Sequence, residues 1–170
     1  MQKLKYYVKY VIMLTNLKLG GKHYMNIAIE FATSNNYPEF VELHKRFYCL
    51  GSNVPIKVNS MTEEVYNDYV ERESLLLAYQ NNVLIGYAML IAYQDDNDDI
   101  VCSIQEIFVD PEYQRNGYGM EMLKRITEEA KKVEAKQLQV VSFFIETDHF
   151  WMVKCGFKED KEGYLVKEIN

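Results

Sequence analysis

Three β-prone runs follow one another with almost no chain between them: LLLAYQ (75–80), VLIGYAMLIAY (83–93) and IVCSIQEIFV (100–109). Asn81-Asn82 is a tight-turn signal, and QDDNDD (94–99) is a second, acidic turn. Strands joined so closely must run antiparallel, because a parallel neighbour needs a crossover of about a dozen residues or more. This meander is the strongest constraint on the fold, and the remaining elements must pack against it.

The flanks supply those elements. MNIAIEFA (25–32) alternates and reads as a strand. Ser34-Asn35-Asn36 offers caps and Pro38 suits a first helical turn. Phe40, Leu43, Phe47 and Leu50 then recur at helical spacing until Gly51-Ser52-Asn53. Residues 54–60 read as a loop containing Pro55. Thr62 followed by Glu64 opens a second helix with Val65, Tyr66, Tyr69 and Val70 on one side. Gly86, inside the long strand, marks a bulge. After the meander a helix is expected from about Gly117 to Val133, with Met120, Leu123, Ile126, Thr127 and Ala130 buried. LQVVSFF (138–144) is strongly β. Residues 146–155 read as a short helix ended by Gly156, and 157–160 with 164–169 as a closing hairpin. The order is β-α-α-β-β-β-α-β-α-β-β, an α+β domain over residues 25–170.

Residues 1–24 differ from this body. They hold Lys3, Lys5, Lys9, Lys18 and Lys22 and no acid, so 14 of the 19 basic residues face all 25 acidic ones in the remainder, a net of −11. Their apolar patch (Tyr10–Leu14) is short and interrupted, and no small-residue cleavage site follows, which argues against a signal peptide. Leu19-Gly20-Gly21 can be encoded by codons containing AGGAGG, a ribosome-binding sequence, just upstream of Met25. The expectation is that 1–24 is a translated leader and Met25 the start.

The acidic body argues against nucleic acid as a partner and mildly favours a cationic substrate. The apolar runs fall short of a membrane span. Cys49, Cys102 and Cys155 are odd in number, widely separated and fit no metal-ligand spacing, so reduced thiols, a cytoplasmic location and no metal are expected.

VDPEYQRNGYGMEML (109–123) lies between strand and helix. It fails the P-loop pattern, since no Lys-Ser/Thr pair follows, and it fails GxGxxG, since Met122 stands at the third position. What remains is strand, Pro, Gln-x-x-Gly-x-Gly, helix. Glycines admit close approach of a ligand, and first-turn amides lack internal partners and carry partial positive charge. Amides from about Arg115 to Met120 suit a pyrophosphate, with Arg115 as a charge at the rim.

With its flanks, this segment resembles the acetyl-CoA-binding signature Q/R-x-x-G-x-G/A of the GNAT acetyltransferase superfamily, and the element order from Met25 onward is similar to that fold. The resemblance implies a mixed, mostly antiparallel central sheet with helices on both faces, splayed between strands 100–109 and 138–144. It implies acetyl-CoA as cosubstrate, with backbone groups of Ile107, Phe108 and Val109 along the pantetheine arm. Gln114, Arg115, Asn116, Gly117, Tyr118, Gly119 and Met120 would line the pyrophosphate. WMVKCGF (151–157) resembles the family's F-Y-x-x-x-G-F segment, but Met152 stands where many members have the tyrosine that protonates the departing thiolate. A methionine has no proton to give.

Transfer to an amine requires a neutral nitrogen, a stabilised carbonyl oxygen and a departing thiolate. An alkylammonium titrates near 10.4 and a thiol near 8.5, so deprotonating the amine is the harder task. Glu106 is the candidate base, the backbone N–H of Val109 the candidate oxyanion donor, and His149 an alternative proton carrier. Tyr118 and Tyr164 are further donors to consider. His44, on the first helix, has no assigned role. The acceptor side falls to residues 50–62 and the terminal hairpin, and the acidic turn 94–99 suits a polyamine or basic peptide. The resulting expectation is an N-acetyltransferase for a small-molecule primary amine, compatible with a homodimer. A protein lysine or N-terminal acetyltransferase and a catalytically silent acyl-CoA sensor remain the alternatives.

Overall fold

The computed structural model describes residues 27–49, 61–140 and 150–169. In chain order it holds β1 (Ile27–Phe31), α1 (Tyr37–Cys49), α2 (Glu63–Glu71), β2 (Leu75–Gln80), β3 (Val83–Gln94) and β4 (Ile100–Val109). Then come α3 (Tyr118–Lys132), β5 (Gln137–Val140), a π-helical turn (Phe150–Lys154), β6 (Lys158–Glu159) and β7 (Leu165–Glu168). The seven strands form one sheet in the order β1-β2-β3-β4-β5-β7-β6. Every neighbouring pair is antiparallel except β4 and β5.

The meander closes as its turns require. Asn81 and Asn82 both take positive φ, 50° and 63°, the backbone that lets a two-residue hairpin follow the twist of its strands. Helix α2 opens where its cap residue predicts: Thr62 accepts from the Val65 amide through its side chain. The expected leader, the loop at 54–60 and the second half of the expected strand 138–144 lie outside the described residues.

Helices cover both faces. On one, α3 buries Tyr118, Met122, Leu123, Ile126 and Ala130 against Leu76, Ala88, Ile104 and Leu138. On the other, Phe40, Leu43 and Phe47 of α1 and Tyr66 of α2 pack on Leu75, Leu77, Tyr87 and Phe108. Two expected core positions are exposed, Met120 at 41% and Val65 at 46%. In α3 the Tyr118 ring turns inward at the first residue, so the buried row runs 118, 122, 126, 130 and Met122 takes the place expected for Met120.

Two register shifts shape the sheet. Between β2 and β3, Ala78 faces Gly86 and Tyr79 faces Leu84, which leaves Ile85 as an extra residue beside the expected glycine. Between β3 and β4, Met89 faces Glu106 and Leu90 faces Ile104, which leaves Gln105 as the extra residue. An inserted residue turns over the alternation that follows it. Cys102 and Ile104 accordingly face α3, and beyond the bulge Ile107 takes that side while Phe108 joins the α1 face.

Gly86 is needed for contact rather than for backbone freedom. A Cβ there would lie 2.5 Å from the Phe108 carbonyl oxygen and 3.3 Å from Met122 Sδ. Gly86→Ala is expected to push β4 away from β3 and to lower unfolding free energy by about 1–3 kcal/mol, measured by denaturant titration.

Candidate active site

The end of β4 and the loop after it are held by their own side chains. Asp110 is 4% exposed. Its Oδ1 accepts from the Glu112 amide at 3.1 Å, and its Oδ2 from Arg46 Nη1 of α1 at 2.6 Å. This fixes a single 3-10 turn at Pro111–Tyr113. Gln114 Nε2 donates to the Val109 carbonyl at 2.8 Å, and Asn116 Nδ2 to the carbonyls of Tyr113 and Gln114 at 3.1 and 3.2 Å. The side chains of Gln114 and Asn116 thus hold the loop's shape, so their backbone is what they offer a ligand.

Arg115 and Gly117 take left-handed φ values of 65° and 86°, the conformations from which anion-binding concavities are built. Among the described residues the amides of Asn116, Gly117, Tyr118 and Gly119 find no backbone acceptor, whereas Met120 N–H donates to Gly117 O at 3.0 Å. The Tyr118 side chain is buried under the sheet, leaving its amide at the helix start. A Cβ on Gly119 would meet none of the described residues within 4 Å. Neither the described packing nor a positive φ demands glycine there, and the lack of a side chain at the helix start fits the close approach of an anionic group.

The β4 backbone points two ways. Asp110 N–H donates to Ile85 O at 2.8 Å, toward β3. Along an antiparallel ladder this alternates, so Phe108 also turns its backbone to β3 while Ile107 and Val109 turn theirs to the opposite edge. On that edge the described pairing with β5 runs from Val101↔Gln137 to Ile104↔Val140. Of the three expected backbone contacts, Ile107 and Val109 therefore face the β5 edge, while Phe108 turns its backbone to β3.

The bulge at Gln105 sets Glu106 on the α1 face, 6% exposed. Tyr87 OH donates to its Oε2 at 2.9 Å, and His44 Nε2 lies 3.5 Å from the same oxygen. Burial raises the Tyr69 phenol on α2, with the Glu106 charge adding to the shift. His44 had no role on sequence alone, yet Phe40, Leu43, His44 and Phe47 occupy i, i+3, i+4 and i+7 of one helix. That spacing already put the imidazole on the buried face.

Other candidates stand apart. His149 lies outside the described residues. Trp151 is fully buried, with its ring 5.3 Å from Phe150 and 5.2 Å from Phe157, while Met152 is 43% exposed. Burial pushes the thiols of Cys102 and Cys155 up to about 11, which suits packing rather than nucleophilic attack. In the acidic turn, Asp95 Oδ1 already accepts from the amides of Asn97 and Asp99 at 2.8 and 3.0 Å. No group of His, Cys, Asp and Glu among the described residues is arranged to hold a metal, and no described helix is long and apolar enough to cross a membrane.

The strand edge at Ile107 and Val109 thus leads into a loop whose amides at 116–119 have no backbone acceptor among the described residues, with a buried carboxylate at the bulge. The chain belongs to the acetyltransferase (GNAT) family, whose sequence profile matches residues 37–157. Solved structures with the same fold include a predicted acetyltransferase from Clostridium acetobutylicum with acetyl-CoA (19% identity, TM-score 0.65, covering 80% of this chain and 92% of that one). An acetyltransferase of the family from Streptococcus pneumoniae aligns at 19% identity and TM-score 0.67, over 85% of this chain and 100% of that one. The PaiA N-acetyltransferase of Thermoplasma acidophilum, in complex with coenzyme A, aligns at 19% identity and TM-score 0.65, over 85% and 98%. No curated protein sequence matches the chain.

Proposed function

We propose that this protein transfers the acetyl group of acetyl-CoA to a primary amine of a small molecule, directly, in a ternary complex. The observation that carries this reading is the pairing of two features on one strand. The buried carboxylate of Glu106 stands next to the outward backbone of Ile107 and Val109, and the strand ends in the amide-rich loop. The amides from Arg115 to Gly119 are suited to the pyrophosphate and the edge at Ile107 and Val109 to the pantetheine. That acetyl-CoA and coenzyme A are bound in similarly folded proteins supports the assignment. Val109 N–H is the donor for the carbonyl oxygen, and Glu106 accepts the proton of the amine.

One observation favours a second reading. Met152 has no proton to give at the position where many family members carry a tyrosine, as a silent acyl-CoA sensor would allow. The thiolate is a tolerable leaving group, so transfer does not depend on that proton donor. The deciding experiment follows thiol release from acetyl-CoA with polyamines, aminoglycosides, amino acids and peptides. Amine-dependent release with a small-molecule acceptor is the expected result. Turnover of peptides alone would make it a protein acetyltransferase, and tight binding without turnover on any acceptor would make it a sensor.

A further inference from the structure

His44 is a buried polar residue for which acetyl transfer, as described so far, has no use. It is 3% exposed, with its ring 5.3 Å from Phe40 and 5.7 Å from Tyr87. A phenylalanine would serve that packing without burying two ring nitrogens. The imidazole instead brings Nε2 to 3.5 Å from Glu106 Oε2, the oxygen that also accepts from Tyr87. Three elements, α1, β3 and β4, thus converge on one carboxylate.

The proton count of the reaction gives this arrangement a purpose. The acceptor arrives as an ammonium and leaves as an amide, so its nitrogen loses two protons. One N–C bond forms and one C–S bond breaks; one proton ends on the CoA sulfur and the other in solvent. A buried carboxylate holds only one of them at a time. We infer that His44 positions Glu106 and takes the first proton on from it, restoring the carboxylate for the second. The ammonium proton passes to Glu106 and from Oε2 to His44 Nε2. Glu106 then takes the second proton, which goes to the departing sulfur directly or through water, and once the products have left His44 returns its own proton by way of Glu106 to the water that refills the site. Imidazolium beside carboxylate is net neutral, so the store adds no uncompensated buried charge.

The described groups around the pair do not compete for these protons. Tyr87 faces it from β3, and Tyr69 and Tyr66 stand on α2. Burial raises both α2 phenols, that of Tyr66 to about 12, so both stay protonated near neutrality. On α1 itself Lys45 pairs with Glu42, and Arg46 with Asp110 at the end of β4. A neutral imidazole nitrogen can accept a proton and give it up again, which neither phenylalanine nor glutamine can do.

The inference rests on Glu106 being the base, and the test separates the two. His44→Phe keeps the aromatic packing, and His44→Gln keeps a donor toward Glu106 without a titrating nitrogen. Both are compared with Glu106→Gln and the unaltered protein by steady-state kinetics from about pH 5 to 8. Each His44 variant is expected to lose about 10²-fold in kcat and about one unit of slope on the acid limb of log kcat/KM, with the acetyl-CoA Kd unchanged. A folded His44→Phe or His44→Gln with normal kcat and an unaltered limb overturns the inference while leaving Glu106 as the base. Full activity in Glu106→Gln overturns both. Should neither His44 variant fold, an acid limb reporting a single proton in the unaltered protein overturns it.

Discussion

Glu106→Gln is expected to lower kcat by about 10²–10⁴-fold, the ordinary contribution of a positioned base. Gln matches the carboxylate in size, and its carbonyl oxygen can still accept from Tyr87 OH, 2.9 Å away in the native chain. What it loses is the ability to take a proton from the acceptor amine. A neutral amide is also easier to bury than a carboxylate at 6% exposure, so thermal unfolding should be preserved. The cofactor contacts proposed here are backbone groups on the far edge of β4 and in the loop, so calorimetric affinity for acetyl-CoA should be unchanged. A folded variant with native turnover would show that the amine reaches the site already neutral or that another group removes its proton.

Gly119→Val separates binding from folding in the opposite way. The helix does not need glycine here, because a Cβ would touch none of the described residues within 4 Å. A branched side chain would instead occupy the space before the amides of Gly117, Tyr118 and Gly119. Losing one or two charge-assisted hydrogen bonds to an anion costs about 3 kcal/mol, or about 10²-fold in Kd. Stability should stay within about 0.5 kcal/mol, as for an ordinary surface substitution. Titration calorimetry beside a thermal melt reads both numbers. Native affinity in this variant would remove the loop from the cofactor site.

Much of this is legible in the sequence, for identifiable reasons. Short connections determined the meander, and helical periodicity placed α1, α2 and α3. Glycine spacing in 109–123 marked the loop. Strand order was not legible at the C-terminal end, where β7 rather than β6 lies beside β5; nothing local in a hairpin says which of its strands docks. The roles of Gln114 and Asn116 were also hidden, because their amides look alike whether they meet a ligand or the loop's own carbonyls. His44 was missed although its spacing with Phe40 and Phe47 was visible. Periodicity reports burial, and only β4 folding against α1 reveals what a buried imidazole meets.

The extra residue at Gln105 gives this strand a phase. Upstream, even-numbered positions face α3; downstream, they face α1. Removing Gln105 would leave Glu106 directly after Ile104 and still opposite Met89 on the α1 side, whereas pairing Gln105 in regular register would carry the carboxylate of Glu106 through the sheet to the side of α3, against Ile126 and Leu138. Grafting Glu106 and its neighbours onto another strand would fail in the same way unless the insertion travelled with them. For this strand the phase of pairing is information in its own right: the same residues in the same order meet α1 or α3 according to whether one of them is left out of the ladder.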